Sequence, residues 1–378
     1  MVLGGDGFCG WPTSLKLAAA GHDVTIVDNL SRRAIDEELS SGSLTNIAAV
    51  ADRIAAANEH VGPVRFEKID VAREYCQLRN LIDAVRPDAI IQFAEQRAAP
   101  YSMLGDRQRR YTVDNNVSGT HNLCSAIVEV DPDIHLVHLG TMGVYGYSKE
   151  FGRIPEGYLD VQIKSTGEDT QILYPANPGS VYHMTKCLDQ LLFQFYNKNW
   201  GLRVTDLHQG IVWGVETAET RLDPRLVNRF DYDGIYGTVL NRFISQAVND
   251  IPLTVYGNGG QSRAFIHIAD TVHCLQLAVE TPPENGERPR IFNQISEVQS
   301  IKRLAMILKE QWGAKVQEVE NPRKEPPRND LEVENAGLRN LGFEATLLSE
   351  DLIEDVKFLS VATKENFRAR NVLSSPKW

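Results

Sequence analysis

A glycine-rich turn at residues 4–10 constrains the fold of this chain more than any other feature. Gly4, Gly7 and Gly10 give the spacing G-x-x-G-x-x-G, directly after the apolar residues 1–3. A helical stretch, 11–20, follows the turn, and the apolar strand 24–27 comes next. Such a turn lets a pyrophosphate approach the backbone N–H groups at a helix N-terminus. The pattern therefore predicts a dinucleotide-binding βαβ unit.

Asp28 follows the second strand, about twenty residues after the glycines, where a carboxylate accepts hydrogen bonds from the ribose hydroxyls of a dinucleotide. A carboxylate at this place repels a 2′-phosphate, so the sequence favours NAD over NADP. Arg32 and Arg33 lie just beyond it and leave some room for NADP.

Strands and helices alternate through the first half of the chain. We expect strands at 64–69, 89–93, 135–139 and 201–207, and helices at 74–85 and 115–130. This alternation predicts an α/β fold, a doubly wound parallel sheet of the Rossmann type, in which ligands lie at the carboxyl ends of the strands. We divide the chain into an NAD-binding domain, 1–208, with a strand and helix returning near 262–282, and a smaller, interleaved α/β substrate domain, 209–378.

Outside that alternation the sequence gives weaker expectations. The stretches 147–180 and 216–234 are expected to be a substrate loop and an irregular lid, and 321–329 an extended segment. Helices are expected at 241–248 and 300–311, and the tail from residue 350 is expected to be a surface helix.

Tyr182 and Lys186 are four residues apart, so on a helix they lie on one face. An ammonium beside a phenol favours the phenolate and lowers the pKa of the tyrosine. Tyr182 could then take a proton from a substrate hydroxyl while hydride leaves the same carbon. The alternative is an ordinary amphipathic helix with a surface lysine. Thr141, at the end of strand 135–139, would complete the constellation by bonding the same substrate oxygen.

Polar residues also follow strand 89–93, where Gln96 and Arg97 are candidates for a substrate wall, and Arg97 could hold an anion. The alternative is a solvated loop. Asn116 lies in the next helix, 115–130. This helix and the one that carries Tyr182 are candidates for subunit pairing, so we expect a homodimer or a higher homo-oligomer.

The net charge and the composition limit the kinds of partner that we expect for this chain. The formal net charge of −11 argues against a nucleic-acid partner, since phosphate binding needs a basic surface. The sequence has no apolar run long enough to span a membrane and no secretory signal. The five cysteines are scattered and never in C-x-x-C spacing, which is typical of reduced cytoplasmic thiols and of neither a disulfide framework nor a metal site.

These motifs resemble the extended short-chain dehydrogenases/reductases, which include nucleotide-sugar epimerases and dehydratases. The chain is most similar to the UDP-sulfoquinovose synthases within that superfamily. The similarity is carried by G-G-D-G-F-C-G-W at 4–11, E-Q-R-A-A-P-Y-S-M at 95–103, L-G-T-M-G at 139–143, Y-H-M-T-K at 182–186, R-F-D-Y-D-G-I-Y-G at 229–237 and P-L-T-V-Y-G-N-G-G-Q-S-R at 252–263.

The resemblance implies an enzyme that uses NAD on a nucleotide-diphosphate sugar. Its implied catalytic residues are Thr141, Tyr182 and Lys186, and the resemblance places His183 against the sugar, where this residue is a further catalytic candidate. The implied NAD-binding residues are Gly4, Gly7, Phe8, Cys9, Asp28, Asn29, Arg32, Asp70, Val71, Phe93, Ala94, Asn116, Leu139, Tyr182, Lys186 and Gln209. The implied substrate-binding residues are Gln96, Arg97, Thr141, Gln209, Asn241, Thr254, Tyr256, Gln261, Arg263 and Arg323.

One position departs from the synthase pattern. That pattern reads G-T-M-G-E-Y-G, and here Val144 replaces the glutamate. Eliminating water across C5 and C6 of a sugar needs a base and an acid, and valine supplies neither. The expected reaction is oxidation of a ring hydroxyl, at C4, followed by dehydration and addition, with His183 or Cys187 as the replacement proton relay. The alternative is a 4-epimerase, whose local string T-x-x-V-Y-G this chain shares.

Overall fold

A computed structural model describes residues 1–146, 152–321, 328–329, 331–362 and 365–373 of the protein. Its strands are β1 (Val2–Leu3), β2 (Val24–Val27), β3 (Val64–Glu67), β4 (Ala89–Gln92), β5 (His135–Thr141), β6 (Tyr158–Gln162), β7 (Asp169–Leu173), β8 (Val204–Gln209), β9 (Ile211–Trp213), β10 (Leu253–Tyr256), β11 (Gly260–His267), β12 (Arg290–Gln294), β13 (Glu297–Ser300), β14 (Val316–Val319) and β15 (Arg328–Asn329).

The α-helices are α1 (Gly10–Ala19), α2 (Ser31–Glu38), α3 (Val50–His60), α4 (Tyr75–Val85), α5 (Ala99–Met103), α6 (Asp106–Val130), α7 (Val181–Trp200), α8 (Val239–Val248), α9 (Ile268–Glu280), α10 (Ile301–Trp312), α11 (Ala336–Asn340), α12 (Leu348–Ala362) and α13 (Ala369–Leu373). In the described part of the chain, no helix is long and apolar enough to cross a membrane.

Seven parallel strands form the central sheet, in the order β12-β8-β5-β4-β1-β2-β3. The strand order reverses beside β1, which pairs with β2 on one side and β4 on the other. Ligands bind at such a reversal, outside the carboxyl ends of the strands. The register of β5 on β8 sets Thr141 beside Gln209 at that edge.

Helices cover both faces of this sheet, which confirms the predicted doubly wound fold. One face buries Trp11 and Leu15 of α1 in a core shared with Leu275 of α9. The other face buries Leu123 of α6 and Phe193 of α7. Both sides of each central strand are thereby removed from water, which explains why β1 and β2 are buried at every position and apolar at all but Thr25.

The second half of the chain builds a smaller unit around its own apolar core. Strand β11 pairs with β9, β13 and β15, while β10 pairs with β14. Trp213, Phe243, Phe265 and Leu304 are buried together there. Helix α12 is not the surface helix expected from the sequence, because its Leu348, Leu352, Val356 and Leu359 pack into the same core.

Other local expectations differ from the structure in their bounds. The helix expected from residue 115 begins at Asp106, and the loop 147–180 contains the β6–β7 hairpin. The lid, 216–234, is irregular apart from two short 3₁₀ turns. The proposed domain boundary at residue 208 falls inside β8. Sequence after that boundary returns to the first domain as α9, which packs on α1, and β12, which pairs with β8.

Candidate active site

The turn at residues 4–10 has no room for a side chain at Gly4 or Gly10. Gly4 has a φ of 77°, and a Cβ there would lie 2.6 Å from the carbonyl carbon of Phe93. A Cβ on Gly10 would lie 2.2 Å from the carbonyl oxygen of Gly4. Cys9 precedes α1 and makes no side-chain capping bond to it, and Gly10, the first residue of the helix, lines the cavity described next. A bare helix N-terminus behind a glycine turn fits a pyrophosphate.

A cavity opens above this turn at the strand reversal. Its lining contains fourteen of the sixteen residues predicted to bind NAD, and these are Gly4, Gly7, Phe8, Cys9, Asp28, Asn29, Arg32, Val71, Phe93, Ala94, Leu139, Tyr182, Lys186 and Gln209. The two others lie behind the lining. Asp70 accepts a hydrogen bond from Asn29, and Asn116 is fully buried, where its amide bonds the backbone of Gln96 and the hydroxyl of Thr185.

The carboxylate of Asp28 lies in this cavity at the end of β2. It accepts hydrogen bonds from the backbone N–H groups of Asp6 and Leu30. Burial and the nearby charge of Asp6 raise the pKa of Asp28 to about 6, which these bonds only partly offset. A group that accepts bonds from ribose hydroxyls recovers the hydrogen bonding that burial has removed.

The two arginines beyond Asp28 both form ion pairs with carboxylates. Arg33 forks onto Asp6 at 2.6 and 2.9 Å, and Arg32 contacts Asp36 at 2.5 Å and Asp231 at 2.9 Å. A 2′-phosphate would have to displace these ion pairs while facing Asp28. The geometry therefore favours NAD over NADP, as the sequence predicts.

Thr141, Tyr182 and Lys186 come together where β5 ends and α7 begins. The hydroxyl of Ser180 caps α7 by accepting from the His183 N–H at 3.1 Å, and Ser102 accepts from the Tyr182 N–H at 3.1 Å. Both bonds fix the first turn of α7, so Tyr182 is held at the cavity wall. Thr141 and Tyr182 line this cavity and the neighbouring one, which makes them the boundary between two binding spaces.

Burial has a larger effect on the pKa of the Tyr182 phenol than the Lys186 charge has. Burial raises the pKa of Tyr182 to about 12, although the Lys186 charge acts in the opposite direction. The sequence predicts the direction of the lysine effect and misses the larger effect of burial. A positively charged nicotinamide ring beside Tyr182 would add to the effect of Lys186.

A second cavity adjoins the first through Arg97, Thr141, Tyr182, Gln209 and Tyr236, which line both. The predicted substrate residues His183, Thr254, Tyr256, Gln261 and Arg263 line it as well. Gln96 lines only the cofactor cavity, and Asn241 is buried behind the second cavity, where it donates to the carbonyl of Asp231. Arg323 lies outside the described residues.

The sequence interpretation misses Tyr236 and Asp231, which lie between the two cavities. Asp231 is buried and binds Arg32, Arg97 and Arg229, whose charges outweigh burial and hold its pKa well below the usual range. The guanidinium of Arg32 lies 3.7 Å from the centre of the Tyr236 ring. The string at 229–237 could have revealed this cluster, since it carries an arginine, two aspartates and two tyrosines within nine residues.

Comparison with known proteins agrees with this geometry. Residues 1–293 match the NAD dependent epimerase/dehydratase family. The chain belongs to that family. It is an NAD-dependent enzyme, and solved structures of similar fold, such as a Thermus thermophilus UDP-glucose 4-epimerase, contain NAD.

Two curated relatives are similar along almost the whole chain. The chloroplastic UDP-sulfoquinovose synthase of Spinacia oleracea is 40% identical over 383 residues, which cover 100% of this chain and 78% of that protein. The UDP-sulfoquinovose synthase of Sulfolobus acidocaldarius is 40% identical, covering 95% of this chain and 91% of that one.

A UDP-glucose 4-epimerase from Thermotoga maritima shares the fold, with a TM-score of 0.70, 19% identity, and coverage of 94% of this chain and 97% of that one. A UDP-glucuronic acid 4-epimerase from Bacillus cereus gives a TM-score of 0.66 at 20% identity, covering 95% and 98%. At these identities the likeness shows the fold alone.

Proposed function

We propose that the protein oxidises a ring hydroxyl of a UDP-sugar, at C4, and then eliminates water and adds a nucleophile, as UDP-sulfoquinovose synthases do. The observation that carries this proposal is that Thr141 and Tyr182 form the shared wall of the two cavities. A sugar in the second cavity would present its hydroxyl to Tyr182 beside the cofactor. The 40% identity to two synthases favours the same substrate class.

In the oxidation step, Tyr182 takes the proton of the sugar hydroxyl and Thr141 holds the same oxygen. NAD held in the first cavity would supply the acceptor for the hydride that leaves the carbon. Lys186 keeps a positive charge next to Tyr182 and favours its ionised form. Arg263 lines the second cavity and is a candidate to hold the diphosphate, because a planar guanidinium can bond two phosphate oxygens at once.

His183 is the group best placed for the elimination. Its ring lines the second cavity, and its centre lies 5.3 Å from the centre of the Tyr182 ring. Cys187, the other candidate from the sequence, packs in an apolar cluster with Val144 and Met142, and burial raises the pKa of its thiol to about 12. We therefore assign His183 as the residue that moves the proton between C5 and the leaving hydroxyl.

Val144 keeps the 4-epimerase alternative open. Its side chain is 2% exposed and packs with Tyr145 and Ile154. Val144 is not among the described residues that line the two cavities. An enzyme that only oxidises and re-reduces C4 needs no acid or base at this position. The two reactions differ in the fate of the C5 hydrogen, which makes them separable by experiment.

The first experiment mixes the NAD-bound protein with UDP-glucose and follows the absorbance of reduced nicotinamide. We expect a transient rise that Tyr182→Phe abolishes and Tyr158→Phe retains, because Tyr158 lies on the β6–β7 hairpin and lines neither cavity among the described residues. A Tyr182→Phe variant with unchanged turnover contradicts the assignment of the base.

The second experiment uses UDP-glucose with deuterium at C5. Loss of deuterium to water, followed by a sulfonated product when sulfite is present, supports elimination and addition. Retention of deuterium with inverted C4 supports the epimerase. His183→Asn should keep the oxidation signal and stop the deuterium loss, and a variant that still exchanges C5 would reject His183 as the relay.

We further propose that two chains pair through α6 and α7. Helix α7 carries four large apolar side chains that are exposed in the single chain, Met184 at 38%, Leu191 at 58%, Phe195 at 54% and Trp200 at 49%. Monomeric proteins rarely leave such groups together on one helix, so a second copy of the chain is the occupant that the sequence analysis and this exposure both favour.

A further inference from the structure

A cluster of five charged or titratable side chains is buried behind Tyr182. It contains Lys186 and Asp189 from α7, Glu95 after β4, His138 from β5 and Asp206 from β8, and none is more than 4% exposed. Nothing in the oxidation of a sugar hydroxyl uses Glu95, His138 or Asp189 directly. Burying this many ionisable groups is costly, so their arrangement has to be explained.

Glu95 lies between two cationic groups and gives one oxygen to each. Its Oε2 is 2.9 Å from the Lys186 Nζ, and its Oε1 is 3.1 Å from the His138 Nε2. The Lys186 Nζ also donates to the carbonyl of Leu139 at 2.7 Å and lies 3.1 Å from the same Nε2 of His138. The charge of Lys186 that acts on Tyr182 is therefore reduced by Glu95.

His138 is surrounded by carboxylates, and their charge favours its imidazolium form against the opposing Lys186 ammonium, 3.1 Å from its Nε2. Besides Glu95, its Nδ1 lies 2.8 Å from Asp206 and its Nε2 lies 3.6 Å from Asp189. Three buried carboxylates face one ammonium, and the His208 imidazole lies 3.0 Å from Asp206; a proton on His138 reduces the excess negative charge. Burial and Lys186 lower the pKa of His138, but Asp206 and Asp189 outweigh them and raise it to about 10.

The same residues have the donor chemistry of a metal site, since Glu95, His138 and Asp189 bring ligand atoms within 4.8 Å of one another. The Lys186 ammonium already lies among these atoms. A divalent cation would have to displace Lys186, so the cluster is better described as a charge network around the lysine.

We propose that Glu95 and His138 are positioning residues for the reaction at Tyr182, with Glu95 partly neutralising the Lys186 ammonium and the His138 imidazolium partly neutralising Glu95. The two residues then act on Tyr182 in opposite directions. Glu95 makes the phenol harder to ionise and His138 makes it easier. The significance for catalysis rests on the function proposed above, in which Tyr182 is the base.

The direction of each effect follows from charge alone. Lys186 favours the phenolate of Tyr182, and Glu95 disfavours it. Glu95→Gln removes a negative charge and should move the Tyr182 titration to lower pH by about one unit. His138→Gln removes a positive charge and should move it to higher pH by a similar amount. The double variant removes both charges and should titrate close to the wild-type protein.

The test measures the tyrosinate absorbance of the full-length NAD-bound protein against pH. Each variant is compared with the same variant carrying Tyr182→Phe, so the difference reports Tyr182 alone and needs no substrate. His135→Gln is the matched control, because His135 is also buried on β5 but bonds Thr205 instead of this cluster. The acid limb of nicotinamide reduction by UDP-glucose, where it occurs, should shift in parallel.

Shifts of opposite sign for Glu95→Gln and His138→Gln support the proposal, and shifts of equal sign or no shift overturn it. A merely structural role would lower activity in both variants without separating their titrations. If no sugar nucleotide reduces the cofactor, the proposed function fails, while the absorbance titration still decides this inference. If a variant does not fold, nitrogen NMR of the wild-type protein can measure the protonation state of His138 instead. A neutral His138 at pH 7 also overturns the proposal.

Discussion

The imidazole of His183 lies directly over Gly143, so closely that a Cβ on Gly143 would be 2.3 Å from the His183 Cδ2. Gly143 belongs to the short 3₁₀ turn after β5, and His183 belongs to the first turn of α7. The missing side chain at Gly143 thus sets the position of His183 in the substrate cavity.

Gly143→Ala should displace His183 and separate the two chemical steps. We expect loss of C5 deuterium to fall at least tenfold, while NAD binding stays unchanged, since a displacement of about 1 Å near the reacting atoms costs a large factor in rate. Gly42→Ala is the control, because a Cβ there meets nothing within 4 Å. Equal deuterium exchange in both variants would show that His183 does not need this space.

The fold was predictable because its signals are local. The glycine turn, the apolar strands and Asp28 each follow from backbone geometry or burial, so the parallel sheet and the cofactor cavity agree with the sequence. The ion cluster around Asp231 was not predictable from local patterns. It joins residues that are up to 199 positions apart, Arg32 and Asp231 among them, and only the folded chain brings them together.

Helix α12 and Val144 show a second limit of the sequence. Helix α12 is the last long helix and is partly charged, which favours a surface position, yet its leucines complete the core of the second half. Val144 stands where the synthase pattern has a glutamate, and its side chain packs in an apolar cluster. In both cases tertiary packing, which periodicity does not encode, decides where the side chain lies.

Asp28→Asn should reduce the preference for NAD. The amide keeps the shape of the carboxylate but loses the charge-assisted bonds to the ribose, each of which is worth about 1.5–3 kcal/mol. It also no longer repels a 2′-phosphate. We expect NAD to bind at least tenfold more weakly and NADP to bind more tightly, as measured by calorimetric titration. Asp23→Asn is the control, because Asp23 is exposed before β2 and lines neither cavity among the described residues. Unchanged selectivity in Asp28→Asn would place the ribose elsewhere.

His135 should make the protein less stable as the pH falls. Burial, with the charges of Arg203 and Arg290, lowers the pKa of His135 from 6.5 to about 3. The unfolded chain therefore binds a proton below pH 6.5 that the folded chain does not. Stability present above pH 6.5 is lost toward pH 3, at up to about 1.4 kcal/mol per pH unit.

Urea unfolding of the wild-type protein and of His135→Gln, at several pH values in that window, checks this effect. The neutral amide does not titrate. As the pH falls, the unfolding free energy of the wild-type protein should therefore decrease relative to that of the variant. Parallel curves would mean that His135 takes up a proton in the folded protein as easily as in the unfolded one.

Leu191→Glu combined with Phe195→Glu should convert a dimer into monomers. Both side chains are more than half exposed in the single chain, and they are one turn apart on the same helix that carries Tyr182. Two buried like charges facing their symmetry mates would cost several kcal/mol at an isologous interface. Sedimentation of the wild-type protein should give twice the mass of the chain, and the double variant should give the mass of one.

Val361→Glu is the control, since Val361 is 88% exposed on α12 and has no part in the proposed face. A wild-type protein that sediments as a monomer would leave the apolar face of α7 without the partner proposed for it. A double variant that remains dimeric would place the interface on another surface.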